Sequence, residues 1–241
     1  MNINQPPRIF DDAHATAEGS LAKNFVANVF SWMVVGLLIT GFVASYAGIP
    51  GGLYEQLVGS GGLMMWVILL SPFAFIIAMN AGLQKFSATT LTVLFVAFSG
   101  VMGLSLSSVF LMYTSDSIYQ VFLITAGTFA VMAFAGYTTS VDLSKFGALL
   151  FMALIGIIIA SVVNFFTQSD NPMMDFIISV GGVLVFTGLT AYDTQRIKRI
   201  GAGVEYGTAG ATKLAILAAV SLYLNFVNLF LFLLRLLGGR N

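Results

Sequence analysis

Apolar and polar positions along this chain separate into long blocks rather than alternating. Seven segments contain no Asp, Glu, Lys or Arg: Phe25–Tyr46, Leu63–Met79, Thr89–Met112, Ile118–Tyr137, Phe146–Phe166, Phe176–Tyr192 and Leu214–Leu234. All twenty such charged residues fall between or beyond them. Each segment runs 17 to 24 residues, the length that carries a helix across a hydrocarbon core of about 30 Å. Hydrocarbon cannot hydrogen-bond a backbone, so segments lying in it satisfy their own N–H and C=O groups as helices. The pattern predicts an all-α, polytopic membrane protein with seven transmembrane helices. A polar tail over residues 1–24 precedes a transmembrane domain over residues 25–241.

Composition narrows this further. The chain is 58% hydrophobic and 8% charged, against about 25% charged in an average soluble domain. Its 241 residues are mostly consumed by the spans, which leaves no room for a soluble catalytic module. Zero net charge implies no affinity for nucleic acid, and the absence of cysteine removes disulfides, thiolate metal sites and thiol redox chemistry. Residues 1–24 lack the short apolar core and small-residue cleavage site of a signal peptide. They read as a flexible tail, with a short surface helix around Ala13–Asn24.

The basic residues set an expected orientation. With a cytoplasmic N-terminus, the inner segments carry Arg8, Lys23, Lys85, Lys145, Arg196, Lys198, Arg199 and Lys213. The outer loops then carry only the acids Glu55, Asp116, Asp170 and Asp175. Eight basic residues against none is a strong positive-inside bias. Seven crossings place the C-terminus outside with Arg235 and Arg240, whereas a re-entrant last segment would leave both ends inside. The 21 uncharged residues of Leu214–Leu234 favour a full crossing.

Loop lengths and small residues say how the spans meet. Tyr113–Ser117 and Thr138–Lys145 are tight and force antiparallel neighbours, while Ala47–Gly62 and Asp193–Lys213 are longer. Pro72 removes one backbone bond inside the second span and is expected to kink it. Gly36/Thr40, Gly103/Ser107 and Gly156/Ala160 are small residues four apart, suited to close helix contact.

Several membrane-embedded chemistries are excluded by what is missing. His14 in the tail is the sole histidine, so an intramembrane Ser–His protease lacks its base. Gly103-Leu-Ser-Leu-Ser107 lacks the final glycine of a nucleophile elbow and sits in mid-span. No HExxH or P-loop occurs, and no span holds a lysine for a Schiff base. The chain is not expected to be an enzyme, and no bound cofactor is implied.

Polar residues inside spans are then the functional candidates. Ser221, Asn225 and Asn228 follow a 0, 4, 7 spacing that aligns them on one face of the last span. Arg235, fourteen residues after Ser221, returns near that stripe toward the outer end. Amide hydrogen bonds between helices and the lining of a pathway are both open for this stripe. Asp193 is the acid nearest a span on the inner side, and it can also be a solvated helix-end carboxylate paired with Arg196 or Lys198. Asp142 reads as an acid near a helix N-cap.

Taken in order, several stretches resemble the Bax inhibitor family, the group named for the transmembrane Bax inhibitor motif, and its bacterial branch in particular. They are Gly103–Phe129 (GLSLSSVFLMYTSDSIYQVFLITAGTF), Ala135–Phe166 (AGYTTSVDLSKFGALLFMALIGIIIASVVNFF), TAYDTQRIK from Thr190 to Lys198, and SLYLNFVNLFLFLLRLL from Ser221 to Leu237. The resemblance covers the chain from about residue 20 to its end. It implies seven helices with the last one central and wrapped by the other six. It also implies a pH-dependent leak of cations, chiefly calcium, gated by two aspartates on the last two helices that share a proton. The first maps to Asp193 and the second to Asn225, where the sequence departs from the pattern. An amide can offer a carbonyl oxygen but cannot titrate or add charge. Some family channels carry an acid and an arginine in the second span, and Leu63–Met79 has neither.

The function expected on these grounds is a Bax-inhibitor-like calcium or cation leak in the lipid bilayer. Asp193 stands at the inner mouth, Ser221, Asn225 and Asn228 line the central helix, and Arg235 lies near the outer face. The alternative, taken from some bacterial relatives, is a non-transporting partner of an ATP-dependent membrane protease, with residues 1–24 as the handle.

Overall fold

The computed structural model describes residues 8–59, 62–167, 171–205 and 207–240, with side chains from Leu21 onward. Its elements are α1 (Arg8–Ala47), α2 (Leu53–Gly59), α3 (Gly62–Ala81), α4 (Ala88–Met112), α5 (Ser115–Thr138), α6 (Ser144–Thr167), α7 (Pro172–Ala202) and α8 (Ala209–Leu237). All but α2 are long and apolar enough to cross a membrane, and each contains one of the seven apolar segments. Helix α2 is a departure: the glycine-rich link after the first span folds a short turn of helix within it. Helix α1 begins at Arg8 and runs unbroken into the first span, where a tail with a separate helix was expected. Ala13–Lys23 supplies strong helix formers to that extension. The tail's first seven residues lie outside the described residues.

Side-chain caps start the helices. Ser87, Thr114 and Thr208 accept the backbone N–H three residues on, at 3.0, 3.3 and 3.1 Å. Asn171 accepts from Met173 and Met174, ahead of Pro172 in the first turn of α7. Each cap satisfies donors that a helix end leaves unpaired.

Helix α3 continues through Pro72. The missing proline N–H frees the Ile68 carbonyl, which accepts from Ser105 Oγ of α4 at 2.7 Å and from Ser71 Oγ at 3.0 Å. A hydroxyl on the neighbouring helix thus repairs the break, as is required where no water can do so.

Helix α8 is the most buried of the seven and packs against α1, α3, α4, α5 and α7. Helix α6 is the most exposed and packs chiefly on α7, so five helices rather than six surround the central one. Both ends of α8 are pinned. Lys213 Nζ donates to the Leu83 carbonyl in the α3–α4 link at 3.3 Å, and Gly239 bonds Ser117 and Thr114 at the α4–α5 link. Those links lie at opposite ends of α4, so α8 runs the full length of the bundle and is not re-entrant.

Small residues set the closest approach. Gly36, Thr40 and Gly103 bring α1 onto α4, where Thr40 Oγ1 donates to Ser99 O at 2.8 Å. The Tyr223 hydroxyl of α8 lies 2.7 Å from the same Thr40 oxygen, tying three helices at one point. Gly156 differs: nothing lies within 4 Å of where its Cβ would stand, so the Gly156/Ala160 pair is not a packing contact.

Candidate functional site

The rotation of α7 is fixed from both sides just before Asp193. Gly136 of α5 lies so close that a Cβ there would collide with the Ala191 backbone, and Gly147 of α6 receives the Tyr192 ring. One turn on, Gln195 Nε2 donates to Val141 O at 2.8 Å, and its Oε1 accepts from Leu143 N at 2.9 Å. Gln195 therefore clasps the α5–α6 link and carries α7 past the end of its apolar stretch. Held this way, α7 turns Asp193 toward α8.

Asp193 is 6% exposed and Asn225 is 5% exposed. Asn225 Nδ2 donates to Asp193 Oδ2 at 2.8 Å, which leaves the amide oxygen Oδ1 free to ligate. The pairing of these two positions, expected from the resemblance, is present. Two other expectations are corrected. Asp193 is not a solvated helix-end carboxylate, because it is buried and α7 continues nine residues to Ala202, about 13 Å at helical rise. Nor does a cation lie within 4 Å of it among the described residues: Lys198 Nζ donates to Tyr137 O at 2.8 Å and lies over that ring, while Arg196 stays outside ion-pair distance and acts on the carboxylate only through its field.

A cavity of about 590 Å³ opens at this pair. Asp193, Asn225, Ser221 and Asn228 supply polar groups to it, and Arg196 lines it toward the lysine-rich end of the bundle. The remaining walls are mostly apolar and come from α3, α4, α6, α7 and α8. Asn228 Nδ2 donates to the carbonyl of Leu224 in its own helix at 2.8 Å, so it does not bind a neighbouring helix. Of the stripe on α8, Asn225 joins helices and Ser221 and Asn228 line the cavity.

Away from the lysine-rich end, the cavity is lined on α7 and α8 by a pair of rings. Phe186 and Phe232 stack with centroids 5.9 Å apart, and Gly182 gives the Phe232 ring its room. One turn beyond Gly182 begins a second pocket of about 420 Å³, lined by Asp175, Ser179, Arg235 and Arg240 among others. Arg235 is exposed there, with its guanidinium 5.8 Å from the Phe232 ring. It is therefore not part of the Asp193 cluster. Sequence reasoning passed over Phe232, although it stands four residues after Asn228 on the same stripe.

At the lysine-rich end, Asp142 caps α6 by accepting from Ser144 N at 3.0 Å. That backbone bond, helped by the Ser144 hydroxyl and Arg199, holds its carboxyl below the usual carboxylate range. The cap is therefore ionised at neutral pH and lost only as acid brings the group through its lowered value. No group of three His, Asp or Glu side chains that could hold a metal occurs among the described residues.

Comparison with known proteins agrees with this architecture. The family model described as "Inhibitor of apoptosis-promoting Bax1" matches residues 22–241. The chain is 46% identical to the inner membrane protein YbhL of Escherichia coli K12 over 219 residues, covering 90% of this chain and 92% of that protein. It is 44% identical to an uncharacterized protein of Borreliella burgdorferi over 221 residues, with coverage of 91% and 94%. An uncharacterized protein of Caulobacter vibrioides is 34% identical over 236 residues, with coverage of 95% and 93%. The chain belongs to the Bax inhibitor family of multi-pass integral membrane proteins.

Proposed function

We propose that the protein is a slow cation leak, calcium being the ion implied by the family resemblance, with its N-terminus in the cytoplasm. The observation that carries this is a buried carboxylate, Asp193, bonded to an amide with no cation within 4 Å among the described residues, at the edge of a cavity. A carboxylate removed from water is costly unless paired, and in a membrane bundle such a group marks an ion route more often than a structural pair. At about 4 Å and an effective dielectric of about 20, it offers a unit cation about 4 kcal/mol. Asn225 Oδ1, Ser221 and Asn228 add neutral oxygens of the kind that calcium accepts.

The single carboxylate, partly offset by Arg196, and the ring pair fit a slow route better than an open pore. One carboxylate concentrates cations in the cavity, and the Phe186–Phe232 stack opposes passage to the second pocket. The orientation follows from the eight basic residues of the inner segments, against four acids and no basic residue in the outer loops.

The test is calcium entry into liposomes with a trapped dye, run beside a monovalent-cation control. Wild type should conduct and Asp193→Asn should lose most of that flux while folding normally. Wild-type vesicles as tight as empty ones would sink the leak and favour a non-transporting partner of a membrane protease. Deleting the polar residues 1–24 then reads out that second role.

A further inference from the structure

We infer that the cavity at Asp193 is a binding site for an amphiphilic organic cation, a hydrophobic molecule carrying one positive charge, that enters from the lipid between α3 and α6. This rests on the cavity's shape and charge and not on ion conduction.

The volume points away from a bare ion as the only occupant. About 590 Å³ lies within the range of roughly 300–1,000 Å³ typical of small-molecule sites. Most of the wall is hydrocarbon: Leu69 and Phe73 on α3, Leu154 and Ile158 on α6, and Leu231 on α8 among others. Such walls give a dehydrated ion nothing, whereas they match the apolar body of an organic ligand.

The polar groups are few, with the charged and amide groups on α7 and α8 and single hydroxyls from Ser105 on α4 and Ser161 on α6, an arrangement that orients a ligand within an apolar pocket. The charge that they bury is negative. Asp193 is 6% exposed with no cation in ion-pair distance among the described residues. Arg196 also lines the cavity and its field reaches Asp193, but it is exposed at the lysine-rich end and beyond ion-pair distance, so it offsets the carboxylate only in part. The buried charge is the carboxylate and the exposed one is the guanidinium, so complementarity selects a cationic head on Asp193 over an anionic head on Arg196.

Access comes from the side. The wall helices follow one another by packing α3 on α4, α4 on α8, α8 on α7 and α7 on α6, while α3 and α6 share no extensive contact. Both present large apolar side chains outward, including Leu70 at 54% and Ile155 at 57% exposed. A ligand dissolved in the membrane reaches the cavity through that gap without crossing water.

The full chain in phosphatidylcholine nanodiscs is tested with tetraphenylphosphonium as probe and tetraphenylborate as its anionic match in shape. Tetraphenylphosphonium should bind saturably above its partition into empty discs, and tetraphenylborate should not. Asp193→Asn should abolish the saturable part. Leu154→Trp, which fills the cavity from the exposed helix α6, should weaken it tenfold or more with Asp193 intact. Leu149→Trp, on the same helix at 58% exposure and outside the cavity, should leave it unchanged. Equal binding of both probes overturns the inference in favour of lipid filling, and a preference for the borate overturns it in favour of Arg196. No saturable binding, or binding that survives both Asp193→Asn and Leu154→Trp, also overturns it. If Asp193→Asn does not fold, the probe pair and the two tryptophan variants still decide. Vesicle calcium flux is read separately: probe binding without flux ends only the leak, and flux without probe binding ends only this inference.

Discussion

The seam between α7 and α8 is built in two unlike halves, divided by the stacked rings of Phe186 and Phe232. Toward the lysine-rich end lies the larger cavity, with its one carboxylate buried and bonded to an amide. Beyond the rings lies the smaller pocket, where Asp175, Arg235 and Arg240 are all exposed. Both halves hold charge, but only one withholds it from water. Electrostatic leverage grows as the surroundings become less polar, so the Asp193 half should govern what enters and the far half should matter little. The rings between them, carrying no charge, should govern how fast anything crosses.

The largest effect should follow from removing the buried charge. Asp193→Asn should cut cation flux by roughly tenfold to a thousandfold, the upper figure being about 4 kcal/mol at about 1.4 kcal/mol per decade. Thermal unfolding in detergent should change little, because Asn225 retains an amide partner across the seam. An unchanged flux in a folded variant would make the two halves equivalent.

Next comes the divider. Phe232→Ala removes one ring of the stack that lines the cavity on the side of the second pocket. Flux should rise about tenfold, the result of lowering a barrier by about 1.4 kcal/mol. Flux equal to wild type would place the barrier elsewhere and remove the division between the halves.

How much of this seam could be read from sequence differs by residue. The spans were legible because charge exclusion over 17 or more residues is a one-dimensional signal. The end of α7 was not, since Asp193 to Arg199 is polar enough to read as a loop. The helix continues there because Gln195 bonds the α5–α6 link and Lys198 the last turn of α5, contacts no local pattern shows. The Asp193–Asn225 pair joins residues 32 apart on separate helices, and the family resemblance rather than spacing brought them together. Arg235 shows the limit of periodicity. It shares the azimuth of Ser221, but fourteen residues is about 21 Å of helix, which carries it past Phe232 into the other half. Gly156/Ala160 fails likewise, since a spacing of four marks a face without saying whether lipid or protein covers it.

The comparison can also be sharpened by adding charge to the buried half. In Asn225→Asp a second carboxylate would stand where the amide nitrogen now lies, 2.8 Å from Asp193 Oδ2. Two carboxylates at that separation hold one proton between them. The variant should therefore acquire a pH-dependent step in flux that wild type lacks, of several-fold amplitude, with calcium favoured on the deprotonated side by a second charged ligand. Coincident flux–pH profiles for the two proteins would show that ions do not pass this pair.

The smallest effect is expected in the far half, and it is the strictest check on the division. Arg235 sits on the helix that carries Ser221, Asn225 and Asn228, so a reading based on the stripe alone would expect its loss to matter as theirs does. Its guanidinium is exposed, lies 5.8 Å from the Phe232 ring, and has no carboxylate within ion-pair distance among the described residues. Solvent and salt screen such a charge over about 8–10 Å at ordinary ionic strength, and Phe232 stands between it and the cavity. Arg235→Gln keeps a long polar side chain while removing the charge, and flux should change less than about twofold at physiological salt. Lowering the salt extends the screening length to about 30 Å at 0.01 M, so any rise in cation flux from removing this positive charge should be larger there. A change matching that of Asp193→Asn, insensitive to salt, would mean that Arg235 acts from within the same low-dielectric space and that the rings do not divide the seam.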